Sequence, residues 1–404
     1  YGWVFLAAGT VLVFGAAPLG RMLNLIEAGL PGSAPLPHAA HTFWLALTGS
    51  MMAMISYLSF VVARDPRQRP AWNALLLSKA MSTSLFALYA LWDRNAAFLV
   101  GAAVDGAILA HLARLGRGLP AVGAGELLTP RSLPGSEPFY EVWFAKLNDP
   151  ATRDALWLRY TLTRGRAGET ASLWFIFFDR VNGKVFQGRA DSPLETAELG
   201  RGGLPVRLKD GWLAADRLCG RVAAASWDLA WEALPAPPFR FVPPSLSLAG
   251  LTASDYWTPA PLARCSGVFT LEGRARRFDG ALGSVGHLWG RRLATQWRWA
   301  HAVLDDGGKP AVFEVLSARL RLGALMSPWL TTANLWRGGR HRRSDSLRAA
   351  LGNSSRLADG AWTFRVAFPG LVVEGECVQD ARLTAELGYE GPCGERRACR
   401  NSKT

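Results

Sequence analysis

Apolar positions are arranged in two ways along this chain. Roughly the first 115 residues carry long uncharged apolar runs, and the remainder carries short segments in which apolar and polar residues alternate between Gly, Pro and Asp. The first pattern predicts an α-helical membrane domain over residues 1–117, and the second predicts an all-β region. Four runs, 3–19, 41–63, 71–92 and 96–115, are long enough to span a bilayer as transmembrane helices. Arg64, Arg67 and Arg69 lie between the second and third runs, and Arg114 and Arg117 follow the fourth. The positive-inside rule then puts both chain ends, and with them the β region, on the cytoplasmic side of the inner membrane.

A Gly- and Pro-rich linker over 118–138 separates the two parts. Segments 139–147 and 155–163 flank the turn Asn148-Asp149-Pro150, and segments 172–179 and 184–189 flank Val181-Asn182-Gly183, where Asn-Gly marks a hairpin. A Pro-rich stretch over 234–262 interrupts the alternation. The expected architecture is two antiparallel β-barrels in tandem, 139–233 and 263–390, joined by 234–262 and followed by a basic tail, 391–404.

Aromatic and titratable residues concentrate in Gly286-His287-Leu288-Trp289-Gly290 and Thr295-Gln296-Trp297-Arg298-Trp299-Ala300-His301. Strand alternation sets Thr295, Trp297, Trp299, His301 and Val303 on one face and Gln296, Arg298, Ala300 and Ala302 on the other. A face of this kind suits the wall of a pocket for a large apolar ligand, with indoles supplying area and imidazole a polar handle. It equally suits a Trp-rich barrel core whose histidines are simply hydrogen-bonded.

Composition narrows the options. Half of the residues are hydrophobic and 17 are Trp, so the chain can bury substantial cores. Of the net charge of +13, the first 120 residues account for +4, and the densest basic block is Arg337, Arg340, His341, Arg342, Arg343 and Arg348. In a membrane-tethered protein, Arg337, Arg340, Arg342 and Arg343 suit anionic lipid headgroups. No zinc finger or basic helix accompanies them, so nucleic acid is not the expected partner. Lys79 and Asp105 sit inside the third and fourth apolar runs, and a helical hairpin brings them to depths differing by about 6 Å, so they are expected to form an ion pair. His38 and His41 stand at a helix entrance without further ligands nearby, and the five cysteines lack paired zinc spacing, so neither a metal nor a cofactor is expected. Gly200-Arg201-Gly202-Gly203 lacks the strand-to-helix setting of a phosphate loop. Arg159 is placed to pair with Glu141 across the first hairpin, and Asp255 in Ser254-Asp255-Tyr256-Trp257 is a second candidate acid.

Phe139-Tyr140-Glu141-Val142-Trp143-Phe144 with Asn148-Asp149-Pro150, then 155–162, then Leu173-Trp174-Phe175-Ile176-Phe177-Phe178-Asp179, resemble the tandem lipocalin-like superfamily. That group includes carotenoid 1,2-hydratases (hydroxyneurosporene synthases), AttH-like proteins and, more distantly, tocopherol cyclases. The resemblance runs over about 138–390 and includes Gly286-His287-Leu288-Trp289-Gly290 and Trp297-Arg298-Trp299. It implies two lipocalin-like barrels, a cavity for an isoprenoid, carotenoid or other lipid, and in some members protonation of an alkene by a buried acid within an aromatic cage. The hydratases carry a Tyr-x-Asp pair on the strand after the aromatic one. Here that strand reads Val312-Phe313-Glu314-Val315-Leu316-Ser317, so Glu314 is the substitute acid.

The sequence therefore predicts a membrane-anchored protein binding a long hydrophobic ligand through Trp289, Trp297, Trp299, His301, Trp257 and Tyr256. An isoprenoid hydratase or cyclase using Glu314 and His287, and a membrane scaffold with filled barrels, are the alternatives. Its partners are a hydrophobic small molecule and the membrane, with the oligomeric state left open.

Overall fold

The computed structural model describes residues 2–14, 42–64, 69–93, 96–117, 124–131, 138–166, 168–200, 205–243, 246, 252–322, 325–358 and 360–403. They belong to two units, Tyr1–Ala121 and Val122–Thr404. His38, His41, Arg67 and Arg201 to Gly203 lie outside the described residues, as does most of the linker.

Among its described residues the first unit holds α1 (Gly2–Phe14), α2 (Thr42–Arg64), α3 (Arg69–Asp93) and α4 (Ala96–Arg117). Among the described residues, two stretches are long and apolar enough to cross a membrane, Ala71–Trp92 and Phe98–Leu115, where the sequence predicts four. The apolar part of α2, Thr48–Ala63, is shorter. The 13 described residues of α1 rise about 20 Å. Large apolar side chains point outward, among them Trp3, Met54, Tyr57, Leu77, Leu91, Trp92 and Val100. Polar groups point inward: Lys79 Nζ lies 2.8 Å from Asp105 Oδ1, Ser82 Oγ donates to Asp105 Oδ2, and Lys79 Nζ sits 4.4 Å from the centroid of Phe5.

The second unit is mostly β. After a short helix α5 (Ala124–Leu127) come β1 (Phe139–Asn148), β2 (Ala155–Gly165), β3 (Gly168–Asp179), β4 (Lys184–Pro193), β5 (Glu198–Leu199), β6 (Val206–Leu208), β7 (Gly211–Leu213), β8 (Arg217–Val222), β9 (Ala225–Ala233), β10 (Phe239–Arg240), β11 (Ser254–Leu271) and β12 (Arg274–Gly290). These twelve form one antiparallel sheet in the order β4-β3-β2-β1-β12-β11-β9-β8-β7-β6-β5, with β10 on β11. The sheet curls so that β3 and β4 meet β8. Its concave face is filled with its own side chains, including the fully buried Trp143, Tyr160, Phe177 and Phe269. Tyr160 Oη donates to the Cys219 carbonyl at 2.9 Å and accepts from Trp227 Nε1 at 3.0 Å.

Next come β13 (Gln296–Asp305), β14 (Pro310–Arg319), β15 (Arg321–Leu322), β16 (Leu325–Met326), β17 (Leu330–Arg337), β18 (Arg340–Ser344), helix α6 (Leu347–Gly352), β19 (Ser354–Ala358), β20 (Ala361–Phe368), β21 (Leu371–Val378), β22 (Thr384–Glu390) and β23 (Arg396–Ser402). Strands β13-β14-β17-β18 form one sheet, β19-β20-β21 another, and β15-β16 and β22-β23 are hairpins. Phe313, Val315, Ala333 and Leu335 pack against Trp362, Phe364, Val366 and Phe368 to make the core between these sheets. The other face of β13 and β14 packs on the convex face of the first sheet, joining Trp297, Trp299, Val303, Val312 and Leu316 to Val142, Phe144, Ile176, Phe241 and Tyr256.

The predicted boundaries shift accordingly. Strands β11 and β12 complete the first sheet, although 263–290 is expected in the second barrel; Pro259 and Pro261 sit at register shifts in β11, where a missing N–H is tolerated. Gly283 permits the close β1–β12 approach, since a Cβ there would lie 1.8 Å from the Lys146 carbonyl oxygen. The 391–404 segment is no free tail, because β23 pairs with β22. All five cysteines are free thiols.

Candidate functional site

Period-two alternation divides the sequence-predicted residues between two faces. Along β11, Tyr256 faces the packing between the two sheets; Trp257 alternates away from it and is in register with His287 of β12. His287 lies beneath α5, fully buried. Its Nδ1 is 2.7 Å from the Leu127 carbonyl, its Nε2 is 2.8 Å from Glu141 Oε1, and its ring stacks on Trp143 at 4.9 Å. A carbonyl only accepts, so Nδ1 donates, and a proton must also lie between Nε2 and the Glu141 carboxyl. Glu141 further accepts from Arg131 N at 2.6 Å. This arrangement ties α5 to the sheet and separates His287 from Glu314, with which it is predicted to act. Trp289 leans on His287 at 4.7 Å and stands 5.6 Å beneath the Arg131 guanidinium.

The face between the sheets gathers Tyr256, Trp299, His301 and Glu314. Strand β14 alternates Val312, Glu314 and Leu316 onto this face, which buries Glu314 completely. Three donors converge on its Oε1: Tyr256 Oη at 2.6 Å, Trp299 Nε1 at 2.7 Å and Thr258 Oγ1 at 2.8 Å. Glu314 Oε2 is buried without a hydrogen-bond partner among the described residues. Burial pushes the carboxyl up to about 7, against the pull of the three donors and Lys146. The raised carboxyl can therefore hold a proton near neutral pH, and because Oε1 accepts three bonds the proton belongs on Oε2.

His301 is the register partner of Glu314 on β13 and so shares its face. Burial and the nearby Lys146 hold its imidazole well below the usual histidine range. Nε2 lies 2.7 Å from the Pro261 carbonyl and must donate to it, leaving Nδ1 an acceptor that is buried and unpartnered among the described residues. Lys146 Nζ donates to the His301 carbonyl at 2.6 Å, and burial brings this amine down to about 8. Phe144 meets Trp299 edge-on at 5.6 Å, and Tyr256 stacks on Phe241 at 4.8 Å. A buried proton donor and a buried proton acceptor thus stand side by side among aromatic rings. Trp297 lies farther along the strand, stacked on Tyr389 at 6.1 Å.

Lys146, Thr258, Phe144 and Phe241 complete the site; of these only Phe144 appears in the sequence analysis, within the motif that carries the resemblance and not as a site residue. Lys146 carries a signal, being the one cation on an outward row of Tyr140, Val142 and Phe144. Thr258 carries none.

Several other expectations change. Arg159 does not pair with Glu141; it stands opposite Phe144, on the other face of the sheet, with its guanidinium 4.1 Å from the Tyr389 ring. Asp255 pairs with Arg240 at 3.1 Å, yet burial still raises its carboxyl. The arginine block is partly neutralised: Arg337 grips Asp306 through two bonds of 2.9 and 2.6 Å, Arg343 pairs with Asp345, Arg342 donates to the Pro369 carbonyl, and Arg340 remains exposed. Two pockets of this unit lie away from Glu314. One is an open groove of about 640 Å3 between β4 and the β22–β23 hairpin, and the other a niche of about 20 Å3 beside Arg159.

No family model matches the chain. It is 26% identical over 271 residues to an uncharacterised protein of Mycobacterium tuberculosis, found in two strains, with 65% of this chain and 78% of the relative covered. Among solved structures it is similar to an AttH-like protein from Nitrosomonas europaea, with a TM-score of 0.45 and 16% identity over 70% of this chain and 94% of that one. It is also similar to kievitone hydratase from Nectria haematococca, with a TM-score of 0.28 and 12% identity over 64% of this chain and 94% of that one.

Proposed function

We propose that this chain is a membrane-anchored, lipocalin-like protein that binds a long apolar ligand, an isoprenoid or related lipid, and that Glu314 protonates a carbon–carbon double bond of that ligand. The observation that carries the reading is that Glu314 and His301, register partners on one aromatic face, each bury a polar atom, Oε2 and Nδ1, without a hydrogen-bond partner among the described residues. Orphaned buried groups are costly, and a water or ligand between them satisfies both.

In the reaction, the Glu314 Oε2 proton passes to one alkene carbon and the π pair becomes the new C–H bond. The adjacent carbon becomes a cation, steadied by the faces of Trp299, Tyr256 and Phe144. The oxygen of a water held at His301 Nδ1 closes on that carbon, and its proton leaves to Nδ1. Return of this proton to Glu314 restores the acid, so the net change is addition of one water. The three donors on Oε1 support the carboxylate during the interval when it is ionised.

Outward-facing Leu77, Leu91, Trp92 and Val100, with the inward-facing Lys79–Asp105 pair, support membrane insertion of the helical unit. A cytoplasmic β unit would then receive its ligand at the bilayer. Carriage without chemistry is the second reading, favoured by the open groove beside Trp174 and Tyr389.

The test is to purify the full chain in non-ionic detergent, identify co-purifying lipids by mass spectrometry, and incubate wild type and Glu314→Gln with lycopene or geranylgeraniol. The wild type should yield a product heavier by one water, at a rate roughly 100-fold above that of the variant. Equal rates, or no hydrate at all with only bulk phospholipid co-purifying, would contradict the chemistry.

A further inference from the structure

We propose that Arg159 anchors the carboxylate of an anionic amphiphile whose body lies in the groove beside Trp174 and Tyr389. Glu314 lines neither the groove nor the niche, and the inference stands whether or not Glu314 does chemistry.

The pocket is built by the register of β2, β3 and β4. Arg159, Trp174 and Arg189 form one cross-strand row on the convex face, and Thr161, Ser172 and Asp191 form the next. Tyr389 of β22 closes over them, edge-on to Trp174 at 5.7 Å. Arg159 is only 8% exposed, its Nε donates to Thr161 Oγ1 at 2.8 Å, and its guanidinium lies 4.1 Å from the ring of Tyr389 and 5.6 Å from that of Trp174. Among the described residues it has no ion-pair partner within 4.0 Å, whereas three neighbouring arginines do: Arg189 holds Asp191 at 2.6 Å, Arg396 holds Glu390 at 3.5 Å and Arg400 holds Glu386 at 3.6 Å. A guanidinium buried without a counter-ion is expensive, and cation–π contact offsets only part of that cost. The missing partner is an anion.

Size and chemistry select its class. The niche offers about 20 Å3, room for about one water-sized group such as a carboxylate oxygen. Thr163 and Thr170 line it with hydroxyls; Thr161 accepts from Arg159 and so keeps its own hydrogen to donate. Glu390 also lines the niche, but its charge is matched by Arg396. The niche shares Trp174, Arg189, Tyr389 and Glu390 with the groove of about 640 Å3, a volume suited to a long chain. At the groove stands Arg397, a second cation without an ion-pair partner among the described residues.

The experiment measures binding of palmitate, hexadecanol and inorganic phosphate to the full chain in non-ionic detergent by calorimetry, for wild type, Arg159→Met and Arg159→Lys. Palmitate should bind the wild type at least about tenfold more tightly than hexadecanol does. Arg159→Met should remove that difference without changing hexadecanol binding, and Arg159→Lys should keep part of it. Equal binding of palmitate and hexadecanol to the wild type overturns the proposal without any variant, and so does undiminished palmitate binding by folded Arg159→Met. Displacement of palmitate by equimolar phosphate would assign the niche to a free anion and overturn the amphiphile.

Discussion

Replacing Glu314 by Gln should flatten the pH dependence of stability. The wild-type carboxyl titrates near 7 when folded, against an ordinary value of 4.5, because burial disfavours its charge. A raised carboxyl favours folding while it stays protonated: the unfolded chain loses its proton from about pH 4.5 upward and the folded chain holds it until about pH 7. Stability from this group is therefore complete below the unfolded value and lost as pH rises through the folded one. At about 1.4 kcal/mol per pH unit the full penalty is about 3 kcal/mol, with most of it developing between about pH 5 and pH 8. Gln is isosteric, keeps an oxygen to accept from Tyr256, Trp299 and Thr258, and does not titrate. Urea unfolding of both proteins in detergent, followed by near-ultraviolet circular dichroism at several pH values, should show the wild type losing about 2–3 kcal/mol relative to the variant across that range. Parallel curves would refute the assignment of a neutral buried acid.

Three further outcomes are expected. Lys79→Met or Asp105→Leu alone should destabilise the helical unit by about 3–5 kcal/mol by stranding a buried charge, while the Lys79→Met/Asp105→Leu double variant should recover most of the loss in thermal melts. Glu141→Leu strands His287 Nε2 and Arg131 N; proteolysis near α5 should accelerate, with a loss of about 2–3 kcal/mol. Gly283→Ala drives a methyl into the Lys146 carbonyl oxygen, so hydrogen exchange of the β1–β12 amides should rise and stability should fall by about 3 kcal/mol.

Local chemistry was the most legible part of the sequence. Asn182-Gly183 and Asp149-Pro150 mark real hairpins, alternation puts Trp297, Trp299 and Val303 on one face, and a depth argument on two helices brings Lys79 to Asp105. Alternation names the residues that share a face but not what covers it. The tryptophan face of β13 meets the convex side of another sheet, not the lumen of its own barrel, because Phe313 and Val315 claim the inner face. Prolines in β11 resemble a break because bulges, which absorb them, leave no mark in the sequence. Strand β23, Arg-Arg-Ala-Cys-Arg-Asn-Ser, has too few apolar positions to read as anything but a tail. Lys146 and Arg159 act through partners more than 150 residues away, and no local pattern encodes such distances.

The chemistry turns on one proton, that of Glu314, and difference infrared spectroscopy observes it directly. Wild-type protein at neutral pH should show the C=O stretch of a protonated, buried carboxyl, shifted in deuterated water, fading as pH rises past about 7 and missing from Glu314→Gln. A band that persists unchanged in the variant, or is already absent at about pH 5 in the wild type, would contradict the account.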